Sequence, residues 1–247
     1  MTVPFPGGTS VSRLRVYDWP TPDGAGLVGG GTPHLHTASA EGYVVLAGSG
    51  AVQTLGPDGF VEHRLEAGAL LWFEPGVVHR LLNDGGLEIL VVMSNAGLPE
   101  AGDAVMTFPL DVLRDPERYG RAAALPPVEV LSDAGADGPV ARAARARRDL
   151  ALEGFAALRV RVDDVGPGDA MEELYAAAAH LVRDRVPGWR STWEATVAAQ
   201  TRATDRALAS LAHGLAPHLS VARTASADVR PAPARFGMCG RLDTWAL

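Results

Sequence analysis

Three histidines and one glutamate in the first third of the chain are the residues best able to do chemistry. His34, Leu35 and His36 form an H-x-H, Glu41 follows after four residues and Gly48 after six more. Further on come Gly68, Glu74-Pro75-Gly76, His79 and Asn83. Imidazoles and a carboxylate at these spacings can converge on one divalent ion inside a small β-barrel. Such a donor set suits Mn, Fe, Co, Ni or Zn better than Ca or Mg.

The elements that would have to position these groups are strands. Residues i and i+2 of a strand share a face, so His34 and His36 project together and Leu35 projects away. Glu41 opens the buried-strand run 41–46, Gly48-Ser49-Gly50 reads as a hairpin turn, and Ala51 to Leu55 as the return strand. Gly68 precedes another apolar strand, Pro75-Gly76 is turn chemistry, and His79 starts the next strand. His79 meets the other ligands only if the sheet rolls up, and a closed antiparallel barrel does so while removing exposed edges. Tyr43 lies two residues past Glu41 and should face the cavity as the candidate catalytic residue, since a phenol there can donate a proton. A packed barrel aromatic is the competing reading. Asn83 could steer a substrate or stabilise a turn. Trp72 and Phe73 divide between pocket wall and packing.

The strings H-x-H-x4-E-x6-G and G-x5-E-P-G-x2-H-x3-N resemble the two motifs of the cupin superfamily. The resemblance covers roughly residues 10 to 97. It implies an antiparallel jelly-roll-type β-barrel and a metal site made of His34, His36, Glu41 and His79. Two positions depart from the family pattern. Val28 stands where the first motif begins with Gly, and Glu74-Pro75 replaces the usual P-x of the second motif. Both lie in turns.

Composition removes several function classes. The 22 basic residues are all Arg, so lysine Schiff-base chemistry is unavailable. A formal charge of −7 argues against a nucleic-acid backbone as partner. Cys239 is the single cysteine and cannot form an internal disulfide. A reducing cytoplasm is the expected compartment. Neither a signal peptide nor an apolar run of the roughly 20 residues that span a bilayer is read, so no membrane partner is expected.

Past residue 97 the character changes. The expected organisation is a mainly β barrel over 1–97, a helical extension over 98–216 and an extended tail over 217–247. The tail is read as docking on the barrel or on a neighbouring subunit. Helices are expected near Pro109–Tyr119, over Pro139–Leu158, over Ala170–Val186 with Asp169 as N-cap, and over Thr192–His213 with Ser191 and Glu194 as a capping box. The stripe Met171, Leu174, Tyr175, Ala178, Leu181 and Val182 reads as core. The helices would cover the barrel or form a dimer interface. Arg142, Arg145, Arg147 and Arg148 read as a solvated helix face rather than a nucleic-acid site. His180, His213 and His218 carry no ligand pattern, and His63 could face either way.

The expectation is therefore a homodimeric, metal-dependent enzyme acting on a small organic molecule. Iron is the favoured metal, with Mn, Ni, Zn or Co as alternatives. A dioxygenase is the first reading. A Lewis-acid isomerase, epimerase, cyclase or lyase is the second, and a non-catalytic binding or sensor module the third.

Overall fold

Two sixteen-residue strands carry the architecture: β4 (Glu41–Gly56) and β7 (Val78–Met93) run antiparallel along nearly their whole length. The computed structural model describes residues 3–127, 138–230 and 235–245. The other strands are β1 (Ser10–Val16), β2 (Gly29–Gly30), β3 (His34–His36), β5 (Gly59–Glu66), β6 (Leu70–Phe73), β8 (Ala104–Met106), β9 (Arg235–Phe236) and β10 (Gly240–Thr244). Because β4 and β7 bend midway, each serves both halves of the roll. Their first pairing region holds β6 on one side and β1, β10 and β9 on the other. Their second holds β5 on one side and β2 and β3 on the other, with β8 beyond β3. The result is an antiparallel jelly-roll-type barrel with a helical C-terminal region.

The bend corrects one expectation. Gly48-Ser49-Gly50 does not reverse the chain; β4 passes straight through it with shifts of register between Ala47, Ser49 and Gly50. The glycines are needed for close approach. A Cβ on Gly48 (φ 74°) would stand 2.2 Å from the carbonyl oxygen of Gly86, and one on Gly50 2.1 Å from that of Leu82. A bulge with glycine at positive φ bends a strand and raises its twist.

The sheet also extends past residue 97 in both directions of the expected layout. β8 pairs with β3, and the C-terminal β10 pairs with β1 from Ser12↔Thr244 to Val16↔Gly240. The tail thus docks on its own barrel; Ala246 and Leu247 lie outside the described residues, as do Met1 and Thr2 of the leader.

The helices are α1 (Leu110–Leu113), α2 (Pro116–Ala123), α3 (Pro139–Val165), α4 (Pro167–Val182), α5 (Val186–Ala195) and α6 (Val197–Ala212). Helix α4 starts three residues earlier than expected, at Pro167 after Gly166, so Asp169 sits in its first turn rather than capping it. Ser191 lies inside α5 and donates to the Pro187 carbonyl, so the expected capping box is not formed; the chain breaks instead at Thr196 (ψ −83°). Met171, Leu174, Ala178 and Val182 are core, packed with Phe155 of α3 against Leu35, Leu55 and Val78 on the outside of the barrel.

The arginine cluster is half structural. Arg148 is buried and donates to the carbonyls of Trp19 (2.9 Å) and Pro20 (2.9 Å), while Arg147 donates to that of Gly237 (2.9 Å). Arg145 lies over the Trp19 ring. These contacts tie α3 to the strand ends, so they are not a solvated face. No helix of the described residues is long and apolar enough to cross a membrane.

Gly154 of α3 tests this packing. Alanine is favoured over glycine by about 1 kcal/mol in a helix interior, yet a Cβ here would stand 2.0 Å from the Thr107 carbonyl oxygen. Gly154→Ala is expected to destabilise the protein by about 2 kcal/mol, the range of overpacked cores, as read from urea unfolding. A gain in stability would show that α3 is not pressed on the barrel.

Candidate metal centre

The bent strands bring the four expected ligands together. Register places His34 opposite His79 across β3 and β7, and Glu41 opens β4. All four side chains are buried, and one ligand atom of each lies within 4.8 Å of all the others. His36 Nε2 and His79 Nε2 are each 3.1 Å from Glu41 Oε2. His79 Nε2 is also 3.1 Å from His34 Nε2.

The other side of each ring explains what this means. His34 Nδ1 is 2.9 Å from the Thr32 carbonyl, His79 Nδ1 is 3.1 Å from the Val77 carbonyl, and His36 Nδ1 is 2.7 Å from Asp103 Oδ1. Carbonyl and carboxylate oxygens only accept, so each Nδ1 carries a proton and, in the neutral ring, each Nε2 presents a lone pair. Three lone pairs and a carboxylate oxygen thus face one another at hydrogen-bond distance with few protons between them. Glu41 Oε2 has no hydrogen-bond donor among the described residues. A bound cation, or a proton on His36 Nε2, relieves such an arrangement. Donors about 2.1 Å from one ion at right angles stand about 3 Å apart, which matches the three 3.1 Å separations. The residues present fit a divalent transition metal.

The electrostatics agree. Burial and the neighbouring rings of His79 and His36 hold His34 well below the ordinary histidine range. Burial disfavours a charge on Glu41, but the His79 and His36 imidazoles outweigh it and keep the carboxyl well below its usual range. Burial also disfavours a charge on His36, yet Asp103 and Glu41 prevail and raise it to about 10. A proton on His36 answers the same negative field that a divalent ion would.

Tyr43 is fully buried beside the cluster. Its ring meets Phe73 edge-on at 5.5 Å, and Phe73 lies 4.3 Å from the His79 ring. Burial and the Glu41 charge push the phenol well above 10, so it holds its proton. Phe73 is the packing residue of its pair, whereas Trp72 points outward and is 72% exposed. Asn83 has a structural role: its amide nitrogen donates to the Val16 carbonyl and its oxygen accepts from the Gly85 and Leu87 amides. His63 of β5 shares a sheet face with Val52 and meets the hydroxyl of Thr54, the β4 residue paired with His79. Cys239 is buried near Thr32, and burial pushes its thiol up to about 12.

Asp103 is the functional residue that sequence reasoning missed. It is fully buried, and its carbonyl accepts from the Thr37 amide, which fixes the chain just after His36. In sequence it is one acid in a Gly/Pro-rich loop. Its role follows from the pairing of β8 with β3, which periodicity does not reveal.

A cleft of about 1160 Å³ lies outside the barrel, between its rim and helices α4 and α5, and none of the four ligand side chains lines it. Leu35 and Thr37, the chain neighbours of His34 and His36, form part of its wall together with Val77, Leu98, Val182 and Trp189.

Residues 27–93 match the family model of the cupin domain, and this part of the chain is a cupin domain. Solved structures similar to part of this chain include a Klebsiella pneumoniae conserved protein with a double-stranded β-helix domain (18% identity, 35% of this chain and 65% of that one, TM-score 0.26). Others are the Campylobacter jejuni WlaRB TDP-quinovose 3,4-ketoisomerase (15%, 34% and 60%, TM-score 0.29) and the Staphylococcus aureus capsular polysaccharide assembling protein CapF (18%, 38% and 24%, TM-score 0.26). The chain spans less than two thirds of the length of each. At these identities and TM-scores the likenesses carry no statement about this chain. No curated protein matches the sequence.

Two outcomes are expected at this centre. His79→Ala abolishes stoichiometric metal binding, measured by elemental mass spectrometry. Asp103→Asn keeps the fold but weakens metal affinity about 10- to 100-fold, the usual effect of removing a ligand's supporting carboxylate, measured by competition with a chromogenic chelator. Unchanged affinity in Asp103→Asn would show that the His36–Asp103 contact does not tune the ligand.

Proposed function

We propose that this cupin domain holds one divalent transition metal on His34, His36, Glu41 and His79 and is an enzyme that carries out oxygen chemistry on a small, partly apolar organic molecule. The observation that carries the reading is the set of inward-facing Nε2 lone pairs, each oriented by a bond at Nδ1. A bound iron would supply the oxygen chemistry. The chain's own groups bind and orient that ion, exclude water and hold protons.

The protonation states favour this over proton-transfer chemistry. Glu41 is committed to the ligand cluster, Asp103 accepts the His36 Nδ1 proton, and Tyr43 keeps its own proton. Phe73 and Tyr43 give the site an apolar side that limits water.

One observation supports a second reading. Tyr43 is a protonated phenol beside Glu41, placed to act as an acid if the metal serves as a Lewis acid in an isomerase or lyase. A non-catalytic, small-molecule-binding domain would use the same ligands without either role.

Metal content of the purified protein separates these readings. About one iron per chain, lost in His79→Ala, together with oxygen uptake on addition of small aromatic or aliphatic substrates, is the expected result. Zinc, manganese or nickel at that level with no oxygen uptake would favour the isomerase or lyase. Absence of metal from both proteins after metal reconstitution would overturn both enzyme readings.

A further inference from the structure

The outer face of the sheet formed by β6, β4, β7 and β1 breaks the alternation that a solvated antiparallel sheet shows. Its inner side carries Tyr43, Val45, Ile89 and Val91, as a core requires. The outward positions are apolar too. Register aligns Trp72, Gly42, Val92 and Val11 in one row, and Leu70, Val44, Leu90 and Arg13 in the next. An antiparallel sheet with one face in water reads apolar-in and polar-out; strands apolar on both sides belong to sheets covered on both sides. The opposite half of the barrel obeys that rule, because α3 and α4 cover the apolar outer positions Leu35, Leu55 and Val78. On the first half the described residues supply no such cover: Trp72 is 72% exposed, Leu70 65% and the adjacent Leu46 45%.

We propose that this face is covered by the same face of a second copy of the chain, making a two-fold dimer. The charges at its border fit a self-complementary contact. Arg13 pairs with Glu88 at 2.6 Å and Arg15 with Asp243 at 3.0 Å, so the border is locally neutral although the chain carries −7. Two such borders can meet without net repulsion in an isologous contact. Gly42 supplies the shape. It lies between Trp72 and Val92, and even an added Cβ would come no nearer than 3.6 Å to another group. The missing side chain leaves a notch one residue wide beside an indole, into which the partner copy's indole fits. Trp72 exposes on the order of 150 Å². With its neighbours the patch reaches several hundred Å², the size at which an apolar surface marks an interface. Adding the charged border brings it toward the roughly 800 Å² per partner of a standard interface.

Sedimentation velocity on the full chain tests this. Wild type at micromolar concentration is expected to sediment as a species of twice the 25.8 kDa chain. Leu70→Ser/Trp72→Ser is expected to weaken self-association at least 100-fold while metal content and circular dichroism stay unchanged, because both side chains point away from the core. Gly42→Leu, which fills the notch, is expected to weaken it as well. A monomeric wild type at 100 µM, as an order-of-magnitude ceiling for a stable interface, would overturn the proposal. So would a dimer that survives the double substitution, or one that is lost instead on Leu208→Ser/Leu211→Ser in the exposed half of α6.

Discussion

Everything around the centre depends on one constraint: three imidazole nitrogens and a carboxylate oxygen must be held with their lone pairs aimed at a common point. Left alone, these groups repel, and each would turn away if it could. They cannot, because the far side of every ring is tied. The Thr32 and Val77 carbonyls and the Asp103 carboxylate each hold one Nδ1. Two of these anchors sit two residues before their histidine, so strand geometry itself sets the ring. The third comes from a distant segment and exists only because β8 pairs with β3.

The scaffold is shaped by that demand. Glu41 and His79 lie near the starts of the two long strands, which run in opposite directions, and only bent strands can bring those ends round one cavity. The register shifts in β4 near Gly48 and the Asn83 side chain, which ties β7 to the Val16 carbonyl and to its own next turn, together make the bend. Helix α3 then locks the roll from outside. Arg148 reaches the Trp19 and Pro20 carbonyls and Arg147 reaches that of Gly237, so segments far apart in sequence share one set of donors. Buried guanidinium groups are costly to desolvate unless paired or well bonded. Here they donate to carbonyls near the strand ends, and that of Gly237 also accepts from the Tyr17 hydroxyl.

The ligands were legible because period-two spacing and ligand chemistry both act within a few residues. His34 and His36 share a face in any strand, and Tyr43 follows Glu41 by the same rule. Elements set by long-range pairing were not legible. Gly48-Ser49-Gly50 looks like a hairpin because glycine serves tight turns and close strand contacts alike, and only the partner strand distinguishes them. Arg147 and Arg148 look solvated because a helix's amphipathic stripe does not announce which carbonyls lie above it. Asp103 and the strand β10 belong to the same class: each acquires its role from a partner about 70 or more than 200 residues away.

The arrangement also implies a division of stability within the barrel. Most of the cavity is closed by aliphatic and aromatic packing around Val52, Leu81 and Ile89, which needs nothing further. The ligand cluster is different. It buries a carboxylate and three rings whose inward atoms gain little from the protein itself, and unsatisfied buried polar atoms cost on the order of 1–3 kcal/mol each. That cost is borne by the surrounding core. A cation binding only the folded form would return it through linkage. Affinity for the ion and stability of this end of the barrel are therefore one quantity seen from two sides. The apolar ring of Phe73 against His79 serves both, because excluding water raises the cost of the empty cluster and strengthens every bond the filled one makes.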